Sequence, residues 1–264
     1  MNVSIIITTY NRPEALKIVI NSIDSQTYKP SEIIIADDGS GEETSKLIEN
    51  LNKNSNLKII HSWQEDKGFR AARSRNKAIL RYSSDYIILI DGDMILDRFF
   101  IKDHLDNAKE GQFLQGSRVL LSEKLTNQII KSSSYNLRPF SIGLNNRKNA
   151  LRSKILSDIF SYNSNNAHGI RSCNMSFFKS DCLKVNGFNN SMEGWGREDS
   201  EFAVRMLNSN ISRRNIKFSA LQFHLWHPNA HRSSLKANDK ILNDAINLNL
   251  TYCENGIDQL RLNE

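Results

Sequence analysis

Cysteine is scarce: Cys173, Cys182 and Cys253 are the only three in 264 residues, too few and too scattered for a disulfide framework or a CxxC zinc site. They read as reduced thiols. Long apolar runs are also missing. The longest, at 3–7, 33–36 and 86–90, fall far short of the roughly 20 residues that a spanning helix needs. The start, Met1-Asn2-Val3-Ser4, has no basic region and no small-residue cleavage site, which argues against a signal peptide and predicts a cytoplasmic protein. Lys/Arg-rich runs are lacking, and the net charge of +6 is modest, so no nucleic-acid partner is expected. Weak attraction to anionic lipid or acidic glycan is the most this charge supports. Repeats and low-complexity segments do not occur. With 39% hydrophobic and 24% charged residues, the composition is that of a folded globular chain.

What is present is an alternation of short β-branched runs with helix-like segments over the first 120 residues, the pattern of a parallel sheet with crossover helices. Strands are expected at 3–8, 32–36, 57–61, 86–90 and 113–119. Helices are expected at 13–25, which opens on Pro13, and at 42–51 and 69–80. Open α/β sheets bind ligands beyond the carboxyl ends of their strands. Those ends carry Thr8 to Arg12, Ala36 to Ser40, and Asp91-Gly92-Asp93. Three regions follow: a strand-rich half at 1–119, a basic Ser/Asn-rich insertion or lid at 120–169, and a third region at 170–264 that ends in an amphipathic helix. Tyr162 to Asn166 reads as loop.

Asp91 and Asp93 stand after the apolar run Ile87-Ile88-Leu89-Ile90, so both carboxylates project from the sheet edge. Mg²⁺ or Mn²⁺ takes such oxygen ligands and can bridge a carboxylate to a diphosphate. Asp37-Asp38-Gly39-Ser40 is either a turn with a capping serine or a pair of acceptors for a nucleobase imide or ribose hydroxyl. Arg70 and Arg73, at i, i+3 on a helix start, form a candidate anion site. Gly194-Trp195-Gly196 offers an apolar platform to a sugar face, and Glu198 and Asp199 beside it supply a general base. His224 and His227 could each complete a metal site begun by Asp93.

Together, Val3 to Arg12, Asp37 to Ser40, Gly68 to Asn76 and Asp91-Gly92-Asp93 resemble the nucleotide-binding half of family 2 glycosyltransferases of GT-A fold. Cys173 to Phe177, Asn186-Gly187-Phe188, Gly194 to Asp199 and His224-x-x-His227 resemble the carboxyl-terminal part of β-1,4-galactosyltransferases and bacterial chondroitin-type polymerases. The resemblance implies a Rossmann-like, mostly parallel sheet with flanking helices and a smaller acceptor-binding region. It implies that Thr9, Tyr10, Arg12, Asp37, Asp38, Arg70, Arg73, Asp91 and Gly92 bind a UDP-sugar. Asp93 with His224 or His227 would hold Mn²⁺ or Mg²⁺. Trp195 and Gly194 would meet the acceptor, and Asp199, supported by Glu198, would be the base.

The expected reaction is inverting transfer of Gal, GalNAc or a related hexose from a UDP-sugar to a glycan or lipid-linked glycan, in bacterial surface polysaccharide or lipopolysaccharide synthesis. One base without a second carboxylate nucleophile fits a single displacement. Peripheral contact with the inner membrane face is a further expectation, from Arg138, Arg147, Lys148, Arg152 and Lys154. The alternatives are a sugar nucleotidyltransferase, which wants a Gly-rich loop after the first strand where Thr8-Thr9-Tyr10-Asn11-Arg12 has no glycine, and a non-catalytic glycan-binding module.

Overall fold

The computed structural model describes residues 1–228 and 234–262. Its first half is the expected alternation: β1 (Val3–Thr9), α1 (Pro13–Asp24), β2 (Glu32–Asp37), α2 (Glu42–Asn54), β3 (Ile59–Trp63), α3 (Ala71–Leu80) and β4 (Tyr86–Asp91). There follow β5 (Met94–Leu96), α4 (Phe100–Asn107), β6 (Gln112–Gln115), β7 (Val119–Leu121), α5 (Glu123–Ser132), β8 (Leu144–Asn145), α6 (Lys154–Phe160) and β9 (Tyr162–Ser164). The remainder is β10 (Asn174–Phe178), α7 (Lys179–Lys184), α8 (Glu198–Asn208), β11 (Ser212–Asn215), β12 (Gln222–His224), α9 (Leu235–Asn247) and α10 (Ile257–Arg261).

Eight strands form the main sheet in the order β3-β2-β1-β4-β10-β6-β11-β9. The first four are parallel, joined through helices. β1, β2 and β4 are apolar nearly throughout because both faces are covered: β1 and β4 send Ile5, Ile7, Ile88 and Ile90 into one core and Ile6, Ile87 and Leu89 into the other. β10 then enters antiparallel beside β4, pairing Asn174 with Ile90, so the chain segment just before it lies against the Asp91 end.

Residues 113–119 are two strands and not one. Gly116 separates them, where a Cβ would stand 2.3 Å from the side chain of Asn174, and the chain leaves the main sheet for a second one ordered β5-β12-β7-β8. Residues 120–169 supply part of that sheet, and Leu121, Ile129, Leu144 and Ala150 share a buried cluster with Ala15, Ile18 and Phe223. Tyr162 to Ser164, expected as loop, form the edge strand β9 against β11. All three cysteines are buried and free.

Candidate active site

A cleft of about 1080 Å³ opens beyond the carboxyl ends of β1, β2 and β4, and Thr9, Tyr10, Arg12, Asp38, Asp91 and Gly92 line it. Asp38 accepts hydrogen bonds from Gln64 Nε2 at 2.6 Å and from the Arg70 backbone N–H at 2.7 Å; burial nevertheless lifts its pKa above the ordinary carboxylate value. Asp37 does not line the cleft. Fully buried, it accepts from the Ser40 N–H at 2.8 Å and contacts His61 Nε2 at 2.8 Å, so it shapes the turn that presents Asp38. Gly39 in that turn has φ +100°, and a Cβ there would lie 2.5 Å from the Asp66 backbone. Gly92 lets β4 end hard against β1: its N–H donates to the Thr8 carbonyl at 2.8 Å.

The structure places Arg70 and Arg73 beside the cleft and not on its lining. Helix α3 begins at Ala71, with Arg70 as its N-cap. The Arg70 guanidinium turns to the Glu65 carbonyl and Arg73 to Gln64 Oε1, and neither side chain lines the cleft. Of this basic stretch, Arg75, only 4% exposed, lines the cleft. It donates to Thr8 Oγ1 at 3.1 Å, pairs with Glu198 at 3.2 Å and Asp91 at 3.6 Å, and lies over the Phe188 ring. One guanidinium thus spans the two carboxylate-bearing halves of the site. Arg75 stands in the same basic stretch as Arg70 and Arg73, and the i, i+3 spacing that groups Arg70 with Arg73 does not single it out.

Asp93, His224 and His227 converge, with potential ligand atoms all within 4.8 Å of one another. The register explains it. β12 pairs antiparallel with β5, His224 opposite Met94, and the Leu225 N–H donates to the Asp93 carbonyl at 2.9 Å. The Nε2 atoms of His224 and His227 stand 3.4 and 3.5 Å from Asp93 Oδ2, which also accepts from Arg12 at 3.0 Å. Burial alone would raise the Asp93 pKa, but His224, Arg12 and His227 hold it below the ordinary carboxylate value. Two features fit a cation here. Asp93 Oδ1 is buried with no hydrogen-bond partner among the described residues. The His227 Nδ1 lies 2.7 Å from the Pro228 carbonyl, which can only accept, so Nδ1 is the donor and Nε2 is the ring nitrogen turned toward Asp93 as the potential ligand atom.

Across the cleft, α8 opens with Glu198 and Asp199. Asp199 Oδ2 accepts from the Ser172 N–H at 3.2 Å and Oδ1 from the Ser200 N–H at 2.7 Å. Desolvation, and then the Glu198 charge, push its pKa up to about 7 against the pull of Arg75. Glu198 Oε2 is buried without a partner among the described residues. Trp195 lines the cleft and is 40% exposed. Gly194 does not line it; at φ +76°, it donates to the Phe69 carbonyl at 2.8 Å and aims the loop. Helix α9, unassigned to any role by sequence, holds this loop: Asn238 donates to the carbonyls of Glu193 and Gly196. Its Leu235, Leu242 and Ile246 add an apolar wall.

The family model described as Glycosyl transferase family 2 matches residues 4–173, more than half of the chain. That described as the N-terminal domain of galactosyltransferase matches residues 153–227. The chondroitin synthase of Escherichia coli is 24% identical over 253 residues, 90% of this chain and 36% of that protein. The hyaluronan synthase of Pasteurella multocida is 32% identical over 111 residues, 42% of this chain and 11% of that protein. The chain therefore spans about a third or less of these relatives. Among solved structures, S. aureus TarS 1-349 superposes with a TM-score of 0.60 at 14% identity, covering 92% of this chain and 64% of that one. TarS 1-349 in complex with UDP-GlcNAc gives 0.58 at 16% identity, covering 89% and 61%. The fold is the expected GT-A fold.

Proposed function

The chain belongs to glycosyltransferase family 2, and from that premise we propose an inverting, metal-dependent transfer of Gal, GalNAc or a related hexose from a UDP-sugar to a glycan or lipid-linked glycan, in synthesis of a bacterial surface polysaccharide or lipopolysaccharide. The observation that carries this reading is the meeting in one cleft of the Asp93–His224–His227 cluster and the high-pKa Asp199, with Arg75 between them. Membership of the family sets aside the nucleotidyltransferase and the non-catalytic module.

In this reading Asp38 accepts hydrogen bonds from the uridine, and Thr9, Tyr10 and Arg12 flank it. Asp93, His224 and His227 would hold Mn²⁺ or Mg²⁺; the two imidazoles favour Mn²⁺ over the harder ion. When bound, that ion neutralises charge growing on the leaving diphosphate. Trp195 stacks on the acceptor ring, and Asp199 takes the proton of the attacking hydroxyl as the new glycosidic bond forms and the anomeric C–O bond to diphosphate breaks. A base with a pKa of about 7 is matched to such work near neutral pH. Arg75 keeps Glu198 and Asp91 in place and adds positive charge near the leaving group. The stretch 138–160, with its basic side chains, forms the membrane-facing surface.

The test is a panel of nucleotide sugars incubated with Mn²⁺, with release of free nucleotide and transfer to oligosaccharides as readouts. UDP-hexoses should be turned over and EDTA should stop the reaction. If no UDP-sugar is bound or consumed, the proposal fails.

A further inference from the structure

A second cavity, of about 200 Å³, adjoins the cleft and shares Arg118, Gly169 and Arg171 with it. β11 builds its floor. Alternation along this strand puts Arg213 and Asn215 on one face, both buried at 7% and 3% exposure, and Lys217 follows. The Arg213 guanidinium donates to Asn215 Oδ1 from Nε at 3.0 Å and from Nη2 at 2.6 Å, and to the carbonyls of Asn166 and His168 at 2.9 Å. Since a guanidinium only donates, these contacts fix which Asn215 atom is oxygen. The amide nitrogen, Nδ2, is left buried and without a partner among the described residues.

The charge is as one-sided as the hydrogen bonding. Arg118, Arg171, Arg213 and Lys217 all line this cavity, and no Asp or Glu does among the described residues. Asp or Glu ion pairs are found at Arg12, Arg75, Arg152, Arg197 and Arg205; none of the four cavity cations has one within the described residues. Burial, and then the neighbouring positive charges of Arg213 and Lys148, depress the Lys217 pKa, as expected of cations gathered without a counter-charge. A buried amide donor with no acceptor, beside cations with no ion-paired carboxylate among the described residues, costs free energy unless a ligand supplies both.

We propose that this cavity binds an oxyanion, a carboxylate or phosphate carried by the saccharide that occupies the adjoining cleft, and so selects acidic over neutral sugar units. Arg118 and Arg171 give the anion a path from the cleft, Lys217 and Arg213 supply charge, and Asn215 Nδ2 donates to it. Two sources fit, the donor sugar or a unit of the acceptor chain. The inference rests on the proposed function only for the source of the anion, since occupancy can be measured without turnover.

The full chain is titrated with D-glucuronate, inorganic phosphate and D-glucose, with thermal stabilisation and calorimetry as readouts. Glucuronate or phosphate should bind and glucose should not. Lys217→Gln should weaken the anions at least tenfold, and Asn215→Leu, which removes the amide donor but keeps the charges, should weaken them severalfold. Lys217 is partly exposed and makes no ion pair among the described residues, so Lys217→Gln should stay folded if Asn215→Leu does not. A second arm compares acidic with neutral UDP-sugars, and acidic with neutral acceptors. Loss of discrimination in Lys217→Gln on the donor side assigns the anion to the donor, and on the acceptor side to the acceptor. Absence of anion binding, or equal binding by Lys217→Gln, overturns the inference even if transfer is seen. Anion binding without any transfer leaves the cavity standing and removes the function proposed above.

Discussion

At the scale of single residues, the most consequential position is Asp199. Its pKa is pushed up to about 7, so in the free protein it is half protonated near neutrality. In the proposed role of base it must be deprotonated, so kcat/KM should rise through an acid limb centred near pH 7 and level off above it. Asp199→Asn should lower kcat by roughly 10² to 10⁴ while leaving UDP affinity within a few-fold. Stability changes with the opposite sign. A carboxyl whose folded pKa is raised contributes stability below its unfolded value near 4, and this is lost as pH climbs through about 7. Asp199→Asn should therefore melt higher than wild type at pH 8, with the difference closing towards pH 4. Arg75 acts on the same titration. Replacing it by Gln leaves Glu198 and Asp91 without their buried counter-charge. Urea unfolding should show a loss of about 3 kcal/mol, and the acid limb should move upward because Arg75 holds the Asp199 pKa down.

At the scale of elements, the Asp93–His224–His227 cluster is a product of strand register. His224 sits on β12, which enters beside β5 from more than a hundred residues away in sequence. Either His224→Ala or His227→Ala should weaken Mn²⁺ binding at least tenfold by calorimetry, and Asp93→Ala should abolish it. Equal Mn²⁺ affinity in all three variants would refute the assignment. The parallel half was legible because β1, β2 and β4 are buried on both faces and read as unbroken Ile-rich runs, with Asp38, Asp91 and Asp93 at their ends. The antiparallel half was less so. β7, β8, β9 and β12 are two or three residues long, too short for any periodicity to register, and β9 consists of Tyr, Asn and Ser. Helix α3 was seen, but it starts at Ala71 with Arg70 as its N-cap, and which of the arginines in this stretch faces the cleft depends on tertiary packing that the spacing does not carry. The amphipathic pattern of α9 was legible, but not that its apolar face walls the cleft, and Asn238 carried no signal, because an Asn that hooks a distant loop looks like any other surface Asn.

At the scale of the whole molecule, charge and apolar exposure are distributed unevenly. No helix among the described residues is long and apolar enough to cross a membrane. Yet Phe140 and Ile142 are 90% and 89% exposed, and Ile155 and Ile159 on α6 are 73% and 66% exposed, in the stretch that also carries Arg138, Arg147, Lys148 and Lys154. Arg152 belongs to a different account, because it pairs with the buried Asp103. Four basic side chains near an anionic surface contribute on the order of 1 kcal/mol each, and each apolar side chain inserted into the interface adds its transfer energy. Those sums are modest, so binding should be reversible and steeply salt-dependent. Cosedimentation with vesicles rich in anionic lipid should be clear at low salt, weak on neutral vesicles, and largely lost as the Debye length contracts from about 30 Å at 0.01 M to about 8 Å at 0.15 M salt. Phe140→Ser with Ile142→Ser should reduce binding at low salt and leave its salt dependence unchanged, since these residues carry no charge. Neutralising Lys148 and Lys154 should instead flatten the salt dependence. Equal binding to neutral and anionic vesicles would refute the role of the basic side chains, and no binding at 0.01 M salt would refute membrane contact by this surface.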